Sequence, residues 1–264
     1  MTYPANASRH IIGQTDEQHR FGAPSMAPVT ERRPRSPNRI YSVAWMGLRG
    51  YANYETITAP AIPVIENICA SVARGALIMT EDGPVAIEDL EPGAMVMTNE
   101  YGPQPVQWIG SYDMTPREAQ NSERARLYRV TADTFGLAKP SHDLMLASAG
   151  HILTRHAACQ TLYGFDMAFA PIRGLEDGET VIAVKPMSPV SVYNIAFDKQ
   201  ATIIANGVEI ESFHPGALAE TLLDQELRDA IGRLFPHIRS LDMFGVHKID
   251  RLTAYEVRTL RDGV

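Results

Sequence analysis

The stretch ARGALIMTEDGPVAIEDLEPGAMVMTNEYGPQPVQWIG, residues 73–110, leaves the chain that carries it little conformational choice. Short runs of alternating apolar character are separated by residue pairs that tight turns require. Leu77–Thr80 runs into Asp82-Gly83, a pair that tolerates the positive φ of a hairpin turn. Val85, Ile87 and Leu90 follow with roughly alternating apolar character. Glu91-Pro92-Gly93 then sets Pro where φ is fixed and Gly where φ must be positive, the signature of a type II turn. Met95–Thr98 and Val106–Gly110 alternate again, the second after a turn at Tyr101-Gly102-Pro103. This pattern predicts a β-meander that opens a compact all-β domain.

The rest of the chain divides around that meander. Residues 1–37 carry five prolines and no sustained period, so they read as a disordered arm. Residues 38–64 read as a strand pair (Arg39–Met46 and Tyr51–Thr58) followed by the proline-stiffened connector Ala59–Val64. The β domain is expected over residues 65–213. Beyond the meander its strands are Leu127–Ala132, Lys139–Leu146, His151–Arg155, Met167–Ala170, Glu179–Val184, Ser191–Phe197, Ala201–Ala205 and Val208–Ser212. Glu118–Arg126 is a polar excursion, and Asp177-Gly178 and Asn206-Gly207 mark turns. From Pro215 the period becomes helical, through Leu218, Leu222, Leu227, Ile231 and Leu234 and ending before Pro236. A last helix is expected over Leu252–Leu260, making residues 214–264 a helical C-terminal appendage.

Charge and composition remove several functions. A formal charge of −7 over 264 residues does not suit a general nucleic-acid or anionic-membrane binder, which needs a basic face. The basic run Arg32-Arg33-Pro34-Arg35 is short and broken by proline, so it reads as part of a solvated arm. No apolar run approaches a membrane span, and Met1–Gly13 lacks a signal-peptide core. Cys69 and Cys159 are too few for a disulfide framework and fit a reducing compartment. The default expectation is cytoplasmic, with export by a route lacking an N-terminal signal left open. His142, His151, His156 and Cys159 are potential metal ligands, but their spacing matches no paired zinc motif. No metal and no organic cofactor is expected.

The run GALIMTEDGPVAIEDLEPGAMVMT, with GPQPVQWIG after it, resembles the opening of a Hint (hedgehog/intein) domain of the bacterial branch. Two further segments extend the resemblance, which spans roughly residues 65–245: LMLASAGHIL at Leu144–Leu153 and VYNIAFDKQATIIANGVEIESF at Val192–Phe213. A Hint domain rearranges the peptide bond at its own start. A Cys or Ser side chain attacks the preceding carbonyl, the amide becomes a thioester or ester, and a His protonates the departing nitrogen. Setting the family's spacing on this chain makes Ser71 the nucleophile, His151 the proton donor and Ser148 its hydrogen-bonding support. Cys69 is the alternative nucleophile; on an extended strand it lies about 7 Å from residue 71 and needs a register shifted by two. Ser148 and His151 would face opposite sides of a straight strand, and Ala149-Gly150 supplies the bend that brings them together.

Several residues depart from the family pattern. A Ser at 71 is a weaker nucleophile than the usual Cys, Ala94 replaces an Asp, and Gln200 stands where a His is common. Glu211-Ser212 occupies the place of the His-Asn pair that completes splicing in inteins, so full protein splicing is not expected. Two functions follow from the resemblance. One is a catalytically degenerate Hint domain serving as a structural or interaction module. The other is autoprocessing at Ala70-Ser71, a single-turnover self-cleavage whose substrate is the chain's own N-terminal segment.

Overall fold

The computed structural model describes residues 37–117, 126–216, 224–245 and 247–262. The expectations placed on residues 1–36, 118–125 and 217–223 lie outside these. Among the described residues, sixteen strands make two eight-stranded antiparallel sheets. In chain order they are β1 (Asn38–Met46), β2 (Ala52–Pro60), β3 (Val72–Ala73), β4 (Leu77–Thr80), β5 (Gly83–Ala86), β6 (Met95–Thr98), β7 (Gly102–Pro105) and β8 (Trp108–Met114). Next come β9 (Leu127–Val130), β10 (Leu144–Ala147), β11 (His151–Thr154), β12 (Ala168–Pro171), β13 (Val181–Val184), β14 (Val190–Ala196), β15 (Thr202–Ala205) and β16 (Val208–Glu211). The first sheet runs β13-β9-β10-β3-β14-β8-β1-β2; the second runs β12-β11-β16-β15-β4-β6-β7, with β5 beside β4. The all-β expectation holds, with helices at Gln225–Leu234 and Ala254–Asp262 in the C-terminal part.

Local turn chemistry sets much of this register. Asn206 and Gly207 both take positive φ (49° and 90°), the two left-handed positions of the tight turn that joins β15 to β16. Asn206 also accepts a hydrogen bond from the Leu77 amide (2.7 Å), which ties that turn to the start of β4. Gly102 and Pro103, expected in the turn Tyr101-Gly102-Pro103, instead open the strand Gly102–Pro105 that pairs with β6. Its two prolines remove hydrogen-bond donors, and the segment sits at the sheet edge where those donors are not needed. Of the strand expected over Lys139–Leu146, only the end is extended, in β10. Short helices at Ala158–Tyr163 and Ile172–Leu175 carry no apolar period long enough to be read from sequence.

The boundaries drawn at 64/65 and 213/214 do not separate compact units. β1 pairs with β8 (Ser42 opposite Ser111, Trp45 opposite Trp108), so the first strand pair widens the first sheet. Tyr41 and Val43 turn one face of β1 into the core, while Ile40 on the other face is exposed. The helix Gln225–Leu234, capped by the Asp224 carboxylate on the Leu227 amide, buries Ala230, Ile231 and Leu234 against that same core. Trp108 anchors the contact by donating its indole N–H to the Leu234 carbonyl at 2.6 Å. A second core, built on Val72, Ile78, Val96, Leu146, Ile152, Ile203 and Ile210, lies between the sheets. Among the described residues no helix is long and apolar enough to cross a membrane.

Among the described residues, three crossings carry the chain from the first sheet to the second. They lie between β3 and β4, between β10 and β11, and between β14 and β15.

Candidate functional site

Ser71 enters β3 directly after a 3-10 turn at Asn67–Cys69. Its amide donates to the Tyr193 carbonyl and its carbonyl accepts from the Ala147 amide, both at 2.8 Å, so the backbone is fixed between β14 and β10. Asn194, buried on β14, supports the approach by donating to the Ile68 carbonyl at 3.1 Å.

The bend between Ser148 and His151 is the second crossing. Gly150 lies so close to the backbone entering β3 that a Cβ there would sit 2.8 Å from the Ser71 carbonyl oxygen and 3.1 Å from that of Ala147. Only glycine fits without displacing backbone. Beyond it His151 opens β11 in the other sheet. Ser71, Ser148 and His151 thereby line one cleft of about 240 Å³, together with Asn67, Asn194, Arg173, Glu211, His214 and Arg251.

The cleft has a charged floor that the sequence does not announce. Glu211, at the end of β16, is 5% exposed. Arg251 spans its carboxylate, Nε lying 2.8 Å from Oε2 and 3.0 Å from Oε1, and its Nη2 donates to the His214 carbonyl at 2.7 Å. The Gln200 side-chain amide donates to Glu211 Oε1 at 2.6 Å. Burial pushes the Glu211 carboxyl above its ordinary range, against the pull of Arg251 and the Gln200 hydrogen bond.

His151 places Nδ1 3.6 Å from Glu211 Oε2, within electrostatic reach but too far for a hydrogen bond. Its pKa falls to about 3, first through burial and next through the Arg251 guanidinium, while a hydrogen bond with the Ala149 backbone opposes the shift. The ring is therefore neutral at neutral pH. His247 brings Nε2 to 4.0 Å from Glu211 Oε1. That nitrogen is buried and has no hydrogen-bond partner among the described residues, and burial lowers this ring's pKa as well. His214 is fixed on both sides: Nδ1 accepts from the Gly216 amide at 3.0 Å, so Nε2 carries the hydrogen and donates to the Gly245 carbonyl at 3.2 Å.

The other sequence candidates lie elsewhere. Cys69 is fully buried in the first core, its Sγ 2.8 Å from where a Gly110 side chain would begin, and it does not line the cleft. Burial pushes its thiol far above the ordinary range, which disfavours the thiolate a nucleophile needs. As the alternative nucleophile Cys69 is thus in the wrong place and the wrong ionisation state. Cys159 lies on the buried face of the helix Ala158–Tyr163, His156 accepts from the Ala158 amide, and His142 pairs with Ser141 on an exposed loop. Among the described residues no three His, Cys, Asp or Glu side chains come together to hold a metal.

Gln200 does more than stand in for a histidine. Besides holding Glu211, it accepts from the Lys248 and Ile249 amides (2.8 Å each) and donates to the Ile249 carbonyl at 3.1 Å. Its lack of charge and its neighbours gave no sign of this in the sequence. Arg251, in HKIDRL, likewise carried no local signal.

A family model described as Hint domain matches residues 70–217. Two solved structures are similar. The bacterial intein-like domain from Clostridium thermocellum is 15% identical with a TM-score of 0.39, covering 55% of this chain and 99% of its own. The gp41-1 intein is 13% identical with a TM-score of 0.34, covering 54% of this chain and 98% of its own. No curated protein matches the chain. The matched residues begin one position before Ser71, take in all three sheet crossings and amount to more than half of the sequence, and on that ground the chain belongs to the Hint domain family.

Proposed function

We propose that this Hint domain is a structural or interaction module that keeps its Ala70–Ser71 bond intact. One observation carries the reading: Arg251 and Gln200 hold the Glu211 carboxylate beside His151. An acyl shift needs a group that takes the Ser71 hydroxyl proton and passes it to the amide nitrogen, and such a group works best with a pKa near the working pH. His151, at about 3, is some four units below neutrality and is a poor base for a hydroxyl. The carboxylate that would raise its proton affinity is already bound to a guanidinium. The segment before Ser71 also belongs to the same body, since β1 lies between β8 and β2.

Intact mass of freshly purified chain, with and without hydroxylamine, tests this reading. The expected result is the full 29.1 kDa mass in both conditions. Fragments corresponding to residues 1–70 and 71–264 would refute it. A second reading, autoprocessing by an N-to-O acyl shift at Ser71, is favoured by the meeting of Ser71, Ser148 and His151 on one cleft. It predicts those fragments and their loss in both Ser71→Ala and His151→Ala.

A further inference from the structure

Arg251, the cation that answers Glu211 in the cleft, comes from beyond the span matched by the family model. Residues 250–252 run along β12 as a short parallel strand: the Phe169 amide donates to the Asp250 carbonyl at 2.8 Å, and the Leu252 amide donates to the Phe169 carbonyl at 2.9 Å. The hydrogen bonds of Gln200 hold the two residues after His247, and Ile249 packs with Leu153 and Phe169. The helix Ala254–Asp262 then seats Val257 against Gly174, where a Cβ would lie 2.8 Å from that of Val257. This strap directs Arg251 at the Glu211 carboxylate and the His214 carbonyl.

We propose that residues 247–262 are a built-in restraint on the cleft: Arg251 engages the Glu211 carboxylate that would otherwise act on His151, and so keeps the Ala70–Ser71 bond unreacted. The inference rests on the uncleaved reading and assigns its cause. The groups facing His151 are Glu211, Arg251, Arg173 and His247. Without Arg251, the buried carboxylate 3.6 Å from Nδ1 is free to stabilise an imidazolium, which raises the proton affinity of the still neutral ring. His151 then accepts the Ser71 hydroxyl proton as Oγ bonds to the Ala70 carbonyl carbon. The carbon–nitrogen bond breaks and the same proton passes to the Ser71 nitrogen, leaving an ester and a free amine. Hydroxylamine takes the acyl group as a hydroxamate on Ala70 and restores the Ser71 hydroxyl.

The test uses the full chain as wild type, Arg251→Gln and Arg251→Met, with folding checked by cooperative unfolding. His151 is followed by ring NMR against pH, and the Ala70–Ser71 bond by intact mass in hydroxylamine. The expected result is a His151 midpoint at least one pH unit higher in both variants and cleavage at least tenfold faster than in wild type. Ile249→Ala loosens the strap without removing a charge; it is expected to speed cleavage less, and it decides the matter if neither Arg251 variant folds. Folded variants that cleave no faster than wild type overturn the restraint, whether or not His151 moves. Cleavage of the wild type instead overturns the uncleaved reading, so the two failures are told apart.

Discussion

Replacing Gln200 with Met tests whether the strap is held by this one side chain. Methionine keeps the length of the stem and removes all four hydrogen bonds. Gln200 is 2% exposed, and so the position offers no water in exchange. The Lys248 amide lies at an exposed residue and can be rehydrated, but the N–H and C=O of buried Ile249 cannot. An orphaned buried main-chain group costs about 1–3 kcal/mol, so the two Ile249 groups together give about 2–6 kcal/mol. The Glu211 carboxylate also loses its 2.6 Å donor, about 1.5–3 kcal/mol for a charged acceptor, which brings the expected loss to about 4–9 kcal/mol. If residues 247–252 detach to find water, the loss is smaller and the damage is local. Urea unfolding reads the total. Hydrogen exchange at the Phe169 and Leu252 amides, which bind across the strap, reads the local opening. A loss below about 1 kcal/mol with both amides still protected would refute the reasoning.

Three further outcomes are expected. Gly150→Ala forces a methyl against two backbone oxygens that cannot turn aside, costing about 1–3 kcal/mol and lowering Tm by roughly 3–10 °C; an unchanged Tm would show that the crossing yields. Between pH 6.5 and about 3 the unfolded chain takes a proton at residue 151 that the folded chain refuses, so stability should fall as pH falls through that window, by up to about 1.4 kcal/mol per unit from this group. His214, His237 and His247, also depressed, act in the same direction, whereas Glu211, raised, stabilises as pH falls; comparison with His151→Gln isolates the His151 share, and identical pH profiles would contradict its depressed pKa. Iodoacetamide at pH 8 should leave Cys69 and Cys159 unmodified in the native chain and alkylate both in urea; rapid native labelling of Cys69 would place it outside the core.

How far the sequence could be read depended on how local each signal was. Asn206-Gly207 specifies its turn within two residues, and the strands on either side follow from it. The bend at Ala149-Gly150 could be anticipated because a period of two forbids Ser148 and His151 from sharing a face without one. The prolines of Gly102–Pro105 suggested a turn because edge position, the condition that makes them tolerable in a strand, is a property of the finished sheet. The N-terminal strand pair looked detached because nothing near Ser42 announces its partner Ser111. Glu211 read as part of the closing motif, yet its burial depends on Arg251, whose position depends in turn on pairing with Phe169 in β12. Such chains of dependence leave no periodic trace.

That dependence bears on how a Hint cleft is to be interpreted. A buried carboxylate must be answered by a cation or by a proton. Besides the neutral Gln200 amide, Glu211 has three basic partners in reach among the described residues: Arg251 at 2.8 Å, His151 at 3.6 Å and His247 at 4.0 Å. The guanidinium is charged at every accessible pH, whereas each imidazole must first take up a proton that its own burial disfavours. At neutral pH the arginine therefore wins, and its charge then makes protonation of His151 harder still. The matched family span determines where Ser71, Ser148 and His151 stand. The ionisation of His151 is set first by its burial and next by a residue outside that span. Assigning proton transfer to this cleft from its motif residues alone would leave out the charged group that acts most on that proton.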